Sequence, residues 1–357
     1  MPRPRLDPRI PLTELHVHLG AAVTPAIMWG IAHAQGIRLP TKDFWAFRDL
    51  ITVGRRRRGF QAYLDLFRWT ELIQSSPTAV ERSVYEVIGG AYRKNNITEI
   101  ELRFNPMKRN RGGEQDLDHI IAAAVRGMDR AVLEYPQVRA GLIFCLDRGF
   151  SIELNEIIAA KAISWRSRGV VAVDIAGPVV ESFRFGDYRD IFAECRRAGL
   201  GITVHAGETG GADEVREAVE ALDPSRIGHG INSAADPAVM GMLRERGIVL
   251  EVCPSSNLNT GVLRDLAEVR SLLRRLIDHD VPFAISTDGP EMLRSTLRSE
   301  LNLLLRHEIL SSDEVLRAIA TAHRASFVDR APTLQPTLLP LEARATDRAA
   351  IGIGMGV

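Results

Sequence analysis

Eight short apolar runs, rich in β-branched residues, alternate along the chain with longer amphipathic stretches, and this alternation restricts the possible folds more than any other feature. The runs are residues 14–19, 98–104, 139–147, 170–175, 201–206, 226–231, 248–253 and 282–287. Segments with helical periodicity lie between them, among them 152–168, 185–198, 214–222 and 263–279. Near-continuous apolar strands separated by amphipathic helices point to a parallel sheet covered by helices. Eight such units point to a closed (β/α)8 TIM-type barrel, an α/β fold; an open doubly wound sheet is the other architecture with this pattern. No GxGxxG follows a run and no GxxxxGK[ST] occurs, so the nucleotide-binding signature of open sheets is missing.

One connection is unusually long. About eighty residues separate the first run from the second, with helical material at 25–35, 60–74 and 80–94. An insertion after the first strand of a barrel sits at the C-terminal face, where it can cover a site. We therefore expect one barrel over residues 1–330, with a helical lid insertion at 20–97 and a C-terminal extension at 331–357. The charge run Arg55 to Arg58 reads as a solvated loop, with a nucleic-acid or phosphate patch as the alternative.

Lys+Arg and Asp+Glu are each 45, so net charge gives no pull toward nucleic acid or a membrane surface. No apolar run reaches the ~20 residues needed to cross a bilayer, and the first residues lack the apolar core of a secretory signal. Three scattered cysteines give neither a disulfide framework nor a CxxC pair. A cytoplasmic protein acting on a small molecule is the expectation; the sequence leaves the oligomeric state open.

His16 and His18 are two apart in the first run, so both side chains emerge on one face of a strand. Paired neutral imidazoles suit zinc and its neighbours. His205 ends the fifth run with Glu208 three residues on, His229 lies in the sixth, and Asp288 follows the eighth. Ionisable residues placed where several strands run into loops fit a metal site at the face where barrel enzymes keep their chemistry.

The strings TELHVHL (13–19), HAGE (205–208), RIGHG (226–230) and STD (286–288) resemble the adenosine deaminase family of metal-dependent hydrolases. ELRFNP (101–106), VDIAG (173–177) and VCPSSN (252–257) extend the likeness, which spans roughly residues 11 to 330 in the family's order. The resemblance implies one Zn²⁺ per chain, held by His16, His18, His205 and Asp288, with a water whose pKa the metal lowers. It implies that His229 orients that water and accepts its proton. Glu208, as a protonated carboxyl, would meet the ring nitrogen beside the reacting carbon, and the Gly177 backbone N–H would contact the base. The activity implied is hydrolytic deamination of an amino-purine or adenosine-like nucleoside, an amino-heterocycle, with release of ammonia. A hydrolase of another C–N bond, or a zinc-retaining binding protein without turnover, are the alternatives.

Two positions depart from the family pattern. Gly20 stands where family members carry an aspartate toward the ribose 5′-hydroxyl, and Gly289 replaces the second of two adjacent aspartates, which faces purine N7. Each glycine removes a polar contact and is expected to open space, so the expected substrate is not plain adenosine. Glu291 is a candidate to supply the lost carboxylate, or simply an acid at a helix start.

Overall fold

The computed structural model describes residues 5–54, 59–110 and 116–328; Arg55 to Arg58 and the 331–357 extension lie outside the described residues. Eight parallel strands run in sequential order: β1 (Leu12–His18), β2 (Ile97–Phe104), β3 (Arg139–Asp147), β4 (Val170–Ala176), β5 (Gly201–Ala206), β6 (Arg226–His229), β7 (Val249–Val252) and β8 (Phe283–Ile285). The ring closes between its ends, where Asp288 N–H donates to His16 O and His18 N–H to Asp288 O, both at 2.8 Å. This is the expected (β/α)8 barrel.

The last three strands are shorter than the apolar runs that announced them. His229 takes φ +59° and Asp288 φ +64°, so the backbone leaves the extended region at these two residues. Two expected helices also divide: 152–168 becomes Ile152–Ser164 followed by a 3-10 turn at Arg166–Arg168, and 185–198 opens with a 3-10 turn at Phe185–Tyr188.

Between β1 and β2 the chain forms helices Leu19–Ala22, Pro25–Ala34, Phe44–Ile51, Phe60–Ile73 and Pro77–Asn95. Local sequence sets several of their ends. Thr24 accepts from Ile27 N–H ahead of Pro25, and Ser76 accepts from Ala79 N–H ahead of Pro77. Asn96 ends the longest of them in the left-handed conformation. Among the described residues no helix is long and apolar enough to cross a membrane.

Apolar side chains of the strands and the surrounding helices form the main core. Glu300, on helix Leu297–Arg306, is an exception within this packing. It is buried, accepts a hydrogen bond from Ser255 N–H at 3.0 Å, and burial pushes its carboxyl up to about 7. A folded-state value above the unfolded one means that ionisation opposes folding. The cost is absent below about pH 4.5 and complete above about pH 7. Glu300→Gln, whose amide oxygen can still accept from Ser255, should therefore gain stability over the parent between pH 5 and pH 8, by roughly 2–3 kcal/mol. Urea unfolding at the two pH values checks this, and an advantage that does not grow with pH would show the premise to be wrong.

Candidate active site

The C-terminal ends of the strands surround a cavity of about 280 Å³, lined among others by His18, Tyr63, Arg109, Gly177, His205, Glu208, His229 and Asp288. His16 lies just beneath, with no exposed surface. The structure thus brings together all seven residues singled out from the sequence.

Three imidazoles and a carboxylate converge. His18 Nε2 lies 3.2 Å from His205 Nε2, and Asp288 Oδ1 is 3.4 Å from His18 Nε2 and 3.7 Å from His16 Nε2. His16 Nε2 is buried without a hydrogen-bond partner. An orphaned buried nitrogen is costly in a finished protein structure unless something else satisfies it. The opposite ring nitrogens are firmly held: His16 Nδ1 meets Glu251 Oε2 at 2.8 Å, and His205 Nδ1 meets Asp174 Oδ2 at 2.9 Å. Such carboxylate contacts fix the tautomer that aims Nε2 at a common point. Burial holds His18 and His205 below their ordinary pKa, so both are neutral and able to donate lone pairs. The donor set and its orientation suit a divalent transition metal.

Asp288 is gripped on its other oxygen. Oδ2 accepts from Ser256 Oγ at 2.6 Å and from Tyr63 Oη at 3.1 Å, leaving Oδ1 directed toward the histidines. Beside this cluster, His229 Nε2 stands 3.6 Å from Glu208 Oε2, while the Asn257 side-chain amide lies 3.2 Å from His229 Nδ1. Burial first, then the charge of Asp288, pushes the Glu208 carboxyl up to about 8, so it is protonated at neutral pH. Burial also holds His229 neutral. Gly177 takes φ +95°, a conformation that favours glycine, and an added Cβ would stand 3.0 Å from the Asp147 carboxylate.

Two expectations need correction. Gly20 and Gly289 do not open space. A Cβ on Gly20 would stand 2.9 Å from Phe67 and 3.2 Å from Arg109 Nη2, and one on Gly289 2.7 Å from both Ala21 Cβ and Tyr63 Oη. Larger side chains from elsewhere already fill both places. Glu291 does not replace the missing carboxylate: it is absent from the cavity wall and pairs with Lys94 at 2.7 Å. Arg103, Asp174, Glu251, Ser256, Asn257 and Tyr63 also support the site, each through contacts with residues distant in sequence. Asp174 and Glu251 carried a signal, a lone charged residue inside an otherwise apolar strand. Tyr63 carried none, because its contact with Asp288 spans 225 positions.

The family model for adenosine deaminase matches residues 11–335. The chain belongs to the adenosine deaminase family. An adenosine deaminase of Clostridium kluyveri is 30% identical over 321 residues, 90% of each chain. An aminodeoxyfutalosine deaminase of Acidothermus cellulolyticus is 35% identical over 309 residues, 83% of each. Among solved structures, an adenine deaminase from Arthrobacter aurescens matches with a TM-score of 0.78 at 20% identity, covering 90% of this chain and 98% of the other. A Burkholderia ambifaria amidohydrolase with bound Zn matches at 0.77 and 22%, covering 96% and 89%.

The double grip on Asp288 Oδ2 has a measurable consequence. Tyr63→Phe removes one donor while keeping the ring. It should weaken retention of a divalent metal by roughly tenfold, the lower end of the effect of partners that orient a ligand. Competition with a chromogenic chelator reads this, and unaltered affinity would mean that Ser256 suffices.

Proposed function

We propose that this chain is a metal-dependent aminohydrolase that deaminates a 6-aminopurine nucleoside other than plain adenosine. The observation that carries the reading is the meeting, at one barrel mouth, of a four-donor metal cluster with a protonated carboxyl and a neutral imidazole. His16, His18, His205 and Asp288 would hold one Zn²⁺ per chain. When bound, the metal supplies Lewis acidity that brings the pKa of a water toward neutrality.

The chain's own residues would do the rest. Glu208 donates its proton to the ring nitrogen adjacent to the amino-bearing carbon, which makes that carbon electrophilic. His229, held by Asn257, takes a proton from the water as its oxygen bonds to the carbon, and returns a proton to the departing amine. The C–N bond breaks, ammonia leaves, the proton of the added hydroxyl passes to Glu208, and a carbonyl remains. The Gly177 backbone contacts the base. Helix Phe60–Ile73 of the 20–97 insertion acts as a lid, since Tyr63, Phe67 and Arg68 already line the cavity. The aminohydrolase activities named for the relatives support the reaction class. Cys145, Cys195 and Cys253 are buried and free, which fits a cytoplasmic setting.

Metal analysis of the purified protein should give about one equivalent of zinc, lost on His16→Ala or Asp288→Ala; no bound metal after reconstitution would overturn the site. Glu208→Gln should retain the metal and lose roughly 10²–10⁴-fold in turnover, because an amide cannot deliver the proton. Ammonia release from a panel of aminopurines and their nucleosides measures it, and parental turnover in this variant would remove Glu208 from the mechanism.

A further inference from the structure

We propose that Asn232 is a positioning residue for the proton delivery assigned to Glu208: it clamps the 207–211 loop so that the Glu208 carboxyl is presented to the substrate ring beside His229. This rests on the deaminase reading, and it adds to that site a residue that is absent from the cavity wall.

The loop between β5 and helix Ala212–Leu222 reads GETGG, and glycine at three of its five positions leaves the backbone little stiffness of its own. Bonds from outside the loop therefore have to fix it. Asn232, half-buried on the 3-10 turn Ile231–Ala235 and three residues beyond His229, supplies three of them. Its backbone N–H donates to Gly207 O at 3.0 Å, and its side-chain amide donates to Glu208 O at 3.0 Å and to Gly210 O at 2.7 Å. With two carbonyls facing it, the amide has one workable orientation, nitrogen toward the loop, and both of its hydrogens are used. From the other side, Gly207 N–H donates to Glu214 Oε2 at 2.7 Å. Gly207 takes φ +65°, and a Cβ there would stand 2.4 Å from Val215 Cγ2, so the loop also packs closely on the helix that follows it.

Asn232 thus ties the acid to the base. Its turn continues from His229 through Gly230, whose N–H donates to Ala206 O at 3.0 Å, just ahead of the loop. A shift of the loop against this turn would change the 3.6 Å between Glu208 Oε2 and His229 Nε2, and would move the carboxyl off the ring nitrogen it protonates. Proton transfer needs heavy atoms within about 2.6–3.2 Å, and a misplacement of ~1 Å costs on the order of 10²-fold in rate. Contacts that hold the substrate on the other walls of the cavity do not pass through this loop, so the expected loss falls on turnover rather than on binding.

The test is a double-mutant cycle in the zinc-loaded enzyme, run on whichever nucleoside of the aminopurine panel the parent deaminates fastest. Asn232→Ala removes both side-chain donors and should lower kcat by roughly 10- to 100-fold while KM stays within about twofold. Asn232→Asp, equal in size but without a donor, should lose at least as much. In the Glu208→Gln background, where that carboxyl delivers no proton, Asn232→Ala should cost less than about threefold. Equal losses in the two backgrounds, a loss confined to KM, or parental kcat in either single variant overturns the proposal. Should Glu208→Gln turn over too slowly to measure, amide hydrogen exchange decides. Residues 206–211 should exchange at least about tenfold faster in Asn232→Ala than in the parent, with the other barrel segments unaltered, and parental exchange there overturns the clamp. Absence of ammonia from the parent on the whole panel counts against the deaminase reading instead, and the same exchange measurement then judges the clamp on its own.

Discussion

Glu251, at the centre of the barrel and without exposed surface, accepts four hydrogen bonds: from His16 Nδ1, Arg103 Nη2, Arg226 Nε and Thr203 Oγ1, all within 2.7–3.0 Å. Charges at this depth cost several kcal/mol each to desolvate, and only dense pairing offsets that cost. The pairing continues outward. Arg103 also binds Asp174 at 2.9 Å and Leu15 O at 2.7 Å, while Arg226 reaches Glu101 and lies 3.8 Å over the Phe327 ring. Glu101 in turn accepts from Ser326 Oγ, 225 positions away. The lattice therefore joins β1, β2, β4, β5, β6 and β7. Two of its carboxylates, Glu251 and Asp174, are also the groups that orient His16 and His205. Barrel closure and histidine orientation thus depend on the same charges, and a change to one side chain affects both.

His229 and Asp288 carry their own strain. His229 and Asp288 hold left-handed backbone conformations that branched or bulky residues avoid, at a cost of order 1–3 kcal/mol each. Asp288 is kept there by backbone bonds to β1 on both sides and by two hydroxyls on its carboxylate. His229 is kept by its barrel neighbours and by Asn257. The left-handed residue His229 is the last of β6, and Asp288 follows β8 by three residues; both side chains line the cavity.

The two glycines illustrate how an absence in sequence becomes a presence in space. Tyr63 and Arg109, from the helical insertion and from the turn after β2, stand where side chains at 289 and 20 would project. Polarity at these places is consequently set by a phenol and a guanidinium. Burial keeps the Tyr63 phenol protonated, so it can donate to Asp288 throughout the ordinary pH range.

Sequence alone determined the barrel, because eight apolar runs at helical separation leave few other ways to bury parallel strands. It also placed His16, His18, His205, Glu208, His229 and Asp288 at one mouth, because strand ends in such a barrel share a face whatever the loops do. Local rules fixed helix ends such as Thr24–Pro25 and Ser76–Pro77. Tertiary structure decided what periodicity cannot encode: that Arg103, Asp174 and Glu251 are partners across the barrel, that Tyr63 donates to Asp288, and that Gly20 and Gly289 are filled rather than empty. Hydrophobic pattern reports which face of an element is buried, with a range of a few residues. Pairing of charges and occupation of space depend on which distant elements meet, and those distances exist once the barrel has closed.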